Sequence, residues 1–108
     1  MINSGLKIIV EPRHASWFSY EIYKLFKDNN IVFCTDPLKN GIVDTDDEII
    51  YLRLHGIGGY KYKYKDADLY KIRDILKKYM NKKTVYVMFN NVYMYEDARR
   101  FLEIFDSY

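Results

Sequence analysis

Cysteine occurs once in these 108 residues, at Cys34, while histidine and proline occur twice each, at His14, His55, Pro12 and Pro37. One thiol cannot form an intrachain disulfide, and beside two histidines it falls short of any zinc-ligand pattern, which excludes a disulfide scaffold and a zinc module. Long apolar runs are missing too. The longest, Val85 to Phe89, is far below the roughly 18 residues that a membrane span needs. The N-terminus also lacks the apolar stretch and cleavage site of a secretory signal. These absences lead us to expect a soluble, cytoplasmic protein with no membrane partner. Neither sign of charge dominates: 17 Lys+Arg face 15 Asp+Glu, a net +2, with an isoelectric point near 8.5. No strong global field results, so polyanion binding would have to come from a local patch.

What is present is a chain 49% hydrophobic and 30% charged, with no internal repeat, low-complexity tract or linker. One domain over residues 1–108 is the economical reading. Leu6 to Glu11 is short, β-branched and bounded by Pro12, which suits a buried strand. Ser16 is a good N-cap for a helix whose apolar residues, Trp17, Phe18, Ile22, Leu25 and Phe26, recur at three- and four-residue spacing up to Asn29-Asn30. Ile31 to Cys34 reads as a second buried strand, closed by Thr35-Asp36-Pro37. The polar stretch from there to Glu48 shows no helical period. Ile49 to Leu54 is a third strand, followed by the glycine-rich loop His55-Gly56-Ile57-Gly58-Gly59. From Asp66, a plausible N-cap, Leu69, Ile72, Ile75, Leu76 and Tyr79 make one helical face. Thr84 to Phe89 is a fourth strand and Tyr95 to Phe105 a last helix. The order β-α-β-β-α-β-α predicts an α/β fold built on a parallel sheet of four strands.

In such a sheet, chemistry gathers at the carboxyl edge, where loops converge on a rigid scaffold. Polar groups fill that edge here: Glu11, Arg13, His14 and Trp17 after strand one, Arg53 and His55 after strand three, Asn90 and Asn91 after strand four. Strand parity puts Tyr51, Arg53 and His55 on one face and Ile50, Leu52 and Leu54 on the other, apolar face, which should lie under the helices. Lys7, Ile9 and Glu11 likewise oppose Ile8 and Val10. Glu11 and Arg53 then project from the same side, and since a partly buried charge needs a partner, they are expected to pair.

The same residues carry a resemblance. Glu11-x-Arg13-His14-x-Ser16-Trp17, Asp36-Pro37, Tyr51-x-Arg53-Leu54-His55-Gly56, the tyrosine-rich stretch to Tyr64, and Phe89-Asn90-Asn91 follow the order seen in the domain-of-unknown-function 72 (DUF72, YecE-like) family. The chain resembles the C-terminal half of that family, whose members look like TIM-type (β/α)8 barrels. It departs at Asp97-Ala98, where the family usually has Asn before the alanine. The resemblance implies half of such a barrel and a pocket, but no reaction and no cofactor.

Four strands cannot close a barrel. Taking strands of about 18 Å at 4.8 Å spacing, the open inner face covers roughly 350 Å². That is worth up to about 9 kcal/mol if wholly apolar and left wet. A homodimer is the expected solution, with a rearranged helix or a separate partner protein as alternatives.

The rim inventory suits an anionic ligand such as a phosphorylated sugar or nucleotide. Arg13, His14, Trp17 and Tyr51 are candidate contacts, as are Gly56, Tyr64, Asn90 and Asn91. Acid-base catalysis would use Glu11 or His55 as base and Arg53 as electrophilic stabiliser. The bland alternative is a structural polar network in a noncatalytic interaction module or a truncated remnant of a full barrel. His14, His55, Glu11 and Asp36 have no metal-ligand spacing, and Asp44, Asp46, Asp47 and Glu48 lack a calcium loop's glycine and terminal glutamate, so no metal is expected. The run Tyr60-Lys61-Tyr62-Lys63-Tyr64-Lys65 could bind single-stranded nucleic acid, lysines on phosphates and tyrosines on bases. A loop lying over a pocket would show the same alternation, and is preferred. Cys34 is expected to be a packing residue.

Overall fold

The computed structural model describes residues 6–45 and 47–106. The ends of the expected 1–108 domain, and Asp46 of the acidic turn, lie outside the described residues. The strands are β1 (Ile8–Val10), β2 (Ile31–Phe33), β3 (Ile49–Leu54) and β4 (Thr84–Phe89). The helices are α1 (Tyr20–Asp28), α2 (Pro37–Asn40), α3 (Asp66–Leu76) and α4 (Met94–Asp106), with a 3-10 turn at Ala15–Trp17 before α1.

All the strand pairs are parallel, but they do not make one continuous four-stranded sheet. β1 pairs with β2, Ile9 opposite Val32, and β3 pairs with β4, Arg53 opposite Met88. Between the two pairs runs a single bridge, Thr35 to Leu52, in which the Arg53 N–H donates to the Thr35 carbonyl at 3.0 Å. The reason lies just after β2. Asp36 caps α2 by accepting from the Leu38 N–H at 3.0 Å, and Pro37 opens that helix, so the chain turns away and only Thr35 reaches β3. This one-turn helix was not expected. It has too few residues to show a period, and its signal was the Asp-Pro pair alone.

Two other boundaries differ. Helix α1 is capped by Ser19, whose hydroxyl accepts from the Ile22 N–H at 3.3 Å, rather than by Ser16. Ser16 lies inside the 3-10 turn, where His14 Nδ1 accepts from its N–H at 3.1 Å. Asp66 is the first residue of α3, and Lys65 precedes it as cap.

The alternation read from β3 holds: Ile50, Leu52 and Leu54 are buried against Leu69, Ile72 and Leu76 of α3 and Phe101 and Ile104 of α4. A smaller aromatic cluster sets Phe26 of α1, Phe18 and Tyr23 around Phe33 of β2. By contrast β1, expected to be buried, is an exposed edge. Ile8 is 48% and Val10 37% exposed, because α1 packs on β2 and leaves the outer face of β1 bare.

Asp97, the residue that departs from the DUF72 pattern, is completely buried at the first turn of α4. Its Oδ2 accepts from the Tyr64 N–H at 3.1 Å and from Asn91 Nδ2 at 2.8 Å, and Oδ1 faces Arg100 at 3.6 Å. It therefore ties α4 to the loops after β3 and β4. We expect Asp97→Ala to cost about 1–3 kcal/mol, since it strands two buried donors, and Asp97→Asn, which keeps an acceptor oxygen, to cost less. Urea melts check this. Equal losses would place the cost in the ion pair with Arg100 rather than in the accepted hydrogen bonds.

Candidate ligand-binding site

All four strands deliver side chains to one rim, β1 and β3 its centre. Glu11 follows β1, Arg53 lies on β3 and His55 follows it, and the parity that put them on one face brings them together. Arg53 Nη1 donates to Glu11 Oε1 at 3.1 Å, and His55 Nε2 lies 2.5 Å from Glu11 Oε2. The pair expected from parity is thus present, with His55 as a third member. A carboxylate can only accept, so Nε2 carries a hydrogen, and Nδ1 lies 3.3 Å from Asn90 Nδ2. Both ring nitrogens are engaged. Together the two contacts fix the orientation of the ring.

Asp36 joins from the β2 side. One of its oxygens caps α2 and the other accepts from the His55 N–H at 3.1 Å. Beside this cluster opens a cleft of about 660 Å³, floored by Phe18 and Tyr23 and bordered by Glu11, Arg13, Asp36, Lys39, Asn40 and His55. Arg13 stands 3.6 Å from Glu11 with 70% of its side chain exposed. The two carboxylates of the cleft are already committed inside the protein, whereas the guanidinium of Arg13 is largely exposed and keeps only that long contact with Glu11. Lys39 and Asn40 went unnoticed in the sequence because they ride on α2; the Asp-Pro helix start was the available signal.

The other candidates are placed elsewhere. His14 is an exposed cap of the 3-10 turn, and Trp17 packs edge-on against Phe26 at 6.4 Å. Tyr51 stacks on Tyr86 at 5.7 Å on the inner face of the β3–β4 pair. Gly56 is buried at φ +94°, where an added Cβ would meet the Gly59 carbonyl oxygen at 2.0 Å. Its N–H donates to the hydroxyl of buried Tyr64 at 2.7 Å. Asn91, also buried, donates to the Tyr62 carbonyl at 2.8 Å and to Asp97. Gly56, Tyr64 and Asn91 therefore brace the loop after β3 rather than face the cleft.

The Tyr/Lys run is likewise absorbed into the fold. Tyr64 is buried, the Tyr62 hydroxyl donates to Asp68 at 2.5 Å, and Lys63 pairs with Glu96 at 3.3 Å. Of its three tyrosines, Tyr60 alone is largely exposed. In the acidic turn, Asp44 pairs with Lys83 at 2.7 Å and Asp47 with Lys7. Among the described residues no three His, Cys, Asp or Glu side chains are grouped to hold a metal, and no helix is long and apolar enough to cross a membrane.

Parallel strand–helix units with a polar cluster at their carboxyl ends define a partial α/β barrel. The DUF72 family model, described as a protein of unknown function, matches residues 1–107, and the chain belongs to that family. A DUF72 family protein from Thermotoga maritima has a similar structure, with a TM-score of 0.80 at 24% identity. The match covers 94% of this chain and 46% of that one, so this chain spans about half the length of the structure it matches. No curated protein matches it.

Cys34, just after β2, is buried and feels the charges of the cluster. Burial pushes its pKa from 9.0 up to about 12; the Glu11 carboxylate adds to the rise, and Arg53 and Arg13 oppose it. Native protein should therefore alkylate with iodoacetamide at pH 8 far more slowly than the urea-unfolded chain. The native thiol stays neutral while an unfolded one ionises, so this group's contribution is intact below pH 9 and falls as pH rises towards about 12. Cys34→Ala should flatten the decline in melting temperature over that window. An unchanged slope would contradict the assignment.

Glu11→Ala removes the shared acceptor of Arg53 and His55 and should cost roughly 1–3 kcal/mol in urea unfolding. A loss below about 0.5 kcal/mol, the range of ordinary surface substitutions, would show that the cluster does not hold the two strand pairs together.

Proposed function

We propose that the cleft between Glu11, Arg13, Lys39 and His55 binds a small ligand carrying a phosphate or comparable anionic group, such as a phosphorylated sugar or a nucleotide. The observation that carries this reading is the imbalance of committed charge. Glu11 is taken up by Arg53 and His55, and Asp36 by two backbone N–H groups, while exposed Arg13 and Lys39 line the same opening. A guanidinium beside an ammonium is suited to phosphate, the first as a planar fork and the second as a point charge. Phe18 and Tyr23 supply an apolar wall for a sugar or base ring. In this reading His55 bridges Glu11 and Asn90 at the edge of the cleft, and Arg53 acts by positioning Glu11. The noncatalytic reading of this partial barrel is preferred to an acid-base enzyme using Glu11 or His55.

Isothermal titration with ribose 5-phosphate and with adenosine monophosphate, at about 50 and 300 mM salt, tests the proposal. Binding should weaken with salt, and Arg13→Ala/Lys39→Ala should lower affinity at least about tenfold, the order expected for losing two charge-assisted contacts. Titratable binding that the double variant leaves unchanged would overturn it, as would no heat with either probe at millimolar concentration and low salt. A single-stranded oligonucleotide serves as comparison. Binding there but not to the monophosphates would favour the Tyr60–Lys65 segment instead.

A further inference from the structure

Both ends of the strand array are open. Among the described residues, β1 pairs with β2 alone and β4 with β3 alone. In a parallel pair the N–H and C=O of one residue point to the same side, and successive residues alternate. The Val10 carbonyl accepts from the Cys34 N–H at 2.8 Å, which turns Val10 toward β2 and Ile9 toward the unpaired edge. Native edges are usually blunted by a lysine, a proline or a bulge. Ile8–Val10 contains none of these and is apolar throughout.

The two ends complement each other. The outer face of β1 lacks a covering helix, and at the far end of the array α4 lies beside β4 with Leu102 63% exposed. Leu102 borders an apolar groove of about 480 Å³ together with Met80, Val85, Val87 and Phe105. A β4–α4 end laid along β1 would supply Ile9 with a ladder partner and Ile8 and Val10 with a helix. All the strand pairs run parallel, so a two-fold axis along the strands lets β4 of each copy meet β1 of the other in the same direction. Four strands from each copy make eight, the number that closes a barrel whose interior side chains can fill.

We infer that a second copy of this chain docks on these edges, β4 and α4 of each protomer against β1 and α1 of the other. The exposed area matches the demand. Ile8, Ile9, Val10 and Leu25 on the β1 side, with Tyr86, Met88 and Leu102 on the β4 side, are all at least 37% exposed. Together they leave on the order of 700 Å² of side chain in water, against the ~800 Å² each partner contributes to a standard interface. The inference is independent of the ligand reading and does not need the cleft to be occupied.

Light scattering on the 108-residue chain at 1 to 100 µM should report twice the 13.1 kDa chain mass. Ile9→Pro removes an edge donor without touching the β1–β2 ladder, and Leu102→Glu charges an exposed helix position. Each should shift the dimer to monomer, raising the dissociation constant at least tenfold, with the circular dichroism of the folded chain retained. If Ile9→Pro does not fold, Leu102→Glu carries the test alone. A monomeric parent chain at 100 µM would overturn the inference, as would a larger assembly, or a dimer that folded Leu102→Glu leaves intact.

Discussion

The carboxylate of Glu11 is the contact on which the arrangement of this chain depends. Its two strand pairs touch through a single bridge, so the backbone alone gives little to set one pair against the other. Glu11 spans that seam. It stands at the end of β1 and accepts from Arg53 and His55, 42 and 44 residues further on. Asp36 repeats the stitch from the end of β2 to the His55 backbone. Buried Asp36 and largely buried Glu11 thus do between the two strand pairs what a run of ladder hydrogen bonds does in a continuous sheet. Each is a charge-assisted contact, stronger than a neutral hydrogen bond.

This explains why the rim was legible in the sequence while its details were not. Period-two alternation in Ile49–Leu54 places Arg53 and His55 on one face whatever the neighbouring strands do, and the same parity places Glu11. Those three converge. The bounds of β3 and β4 were also readable, because each is a run of β-branched and aromatic residues with abrupt polar ends. Helix α2, with Lys39 and Asn40, was not, since one turn has no period to detect. The serine that caps α1 was missed because Ser16 and Ser19 are equally good caps locally, and packing of Phe26 on Phe33 decides between them. The burial of β1 was overread: three β-branched residues say strand, but only tertiary packing says whether a helix covers it.

Asp97 shows the other limit of reading by pattern. In the sequence it shows only as a departure from the family's usual Asn, whereas in the structure it lies in the core, accepting from Tyr64 and Asn91. Tyr64 in turn holds the Gly56 N–H, and Gly56 is the glycine whose Cβ would strike the Gly59 carbonyl. Loop, tyrosine and helix terminus form one chain of hydrogen bonds that fixes where the backbone leaves β3, and with it the position of the His55 ring. Residues that look like ligand contacts because they sit after strands can instead be what keeps those strand ends in place.

The seam and the cleft are then two consequences of one distribution of charge. Stitching the pairs together consumes the negative groups of the rim, because a carboxylate accepts several hydrogen bonds at once and can serve two strands, whereas each arginine or lysine only donates. Once Glu11 and Asp36 are consumed from within, the cations bordering them have fewer internal acceptors to turn to. Arg13, on the loop after β1, and Lys39, on the short helix after β2, approach from the two elements that flank the seam. A chain that braces its strand ends with acids leaves Arg13 and Lys39 exposed at the mouth of the same cleft, with Arg13 holding only a 3.6 Å contact to the already engaged Glu11.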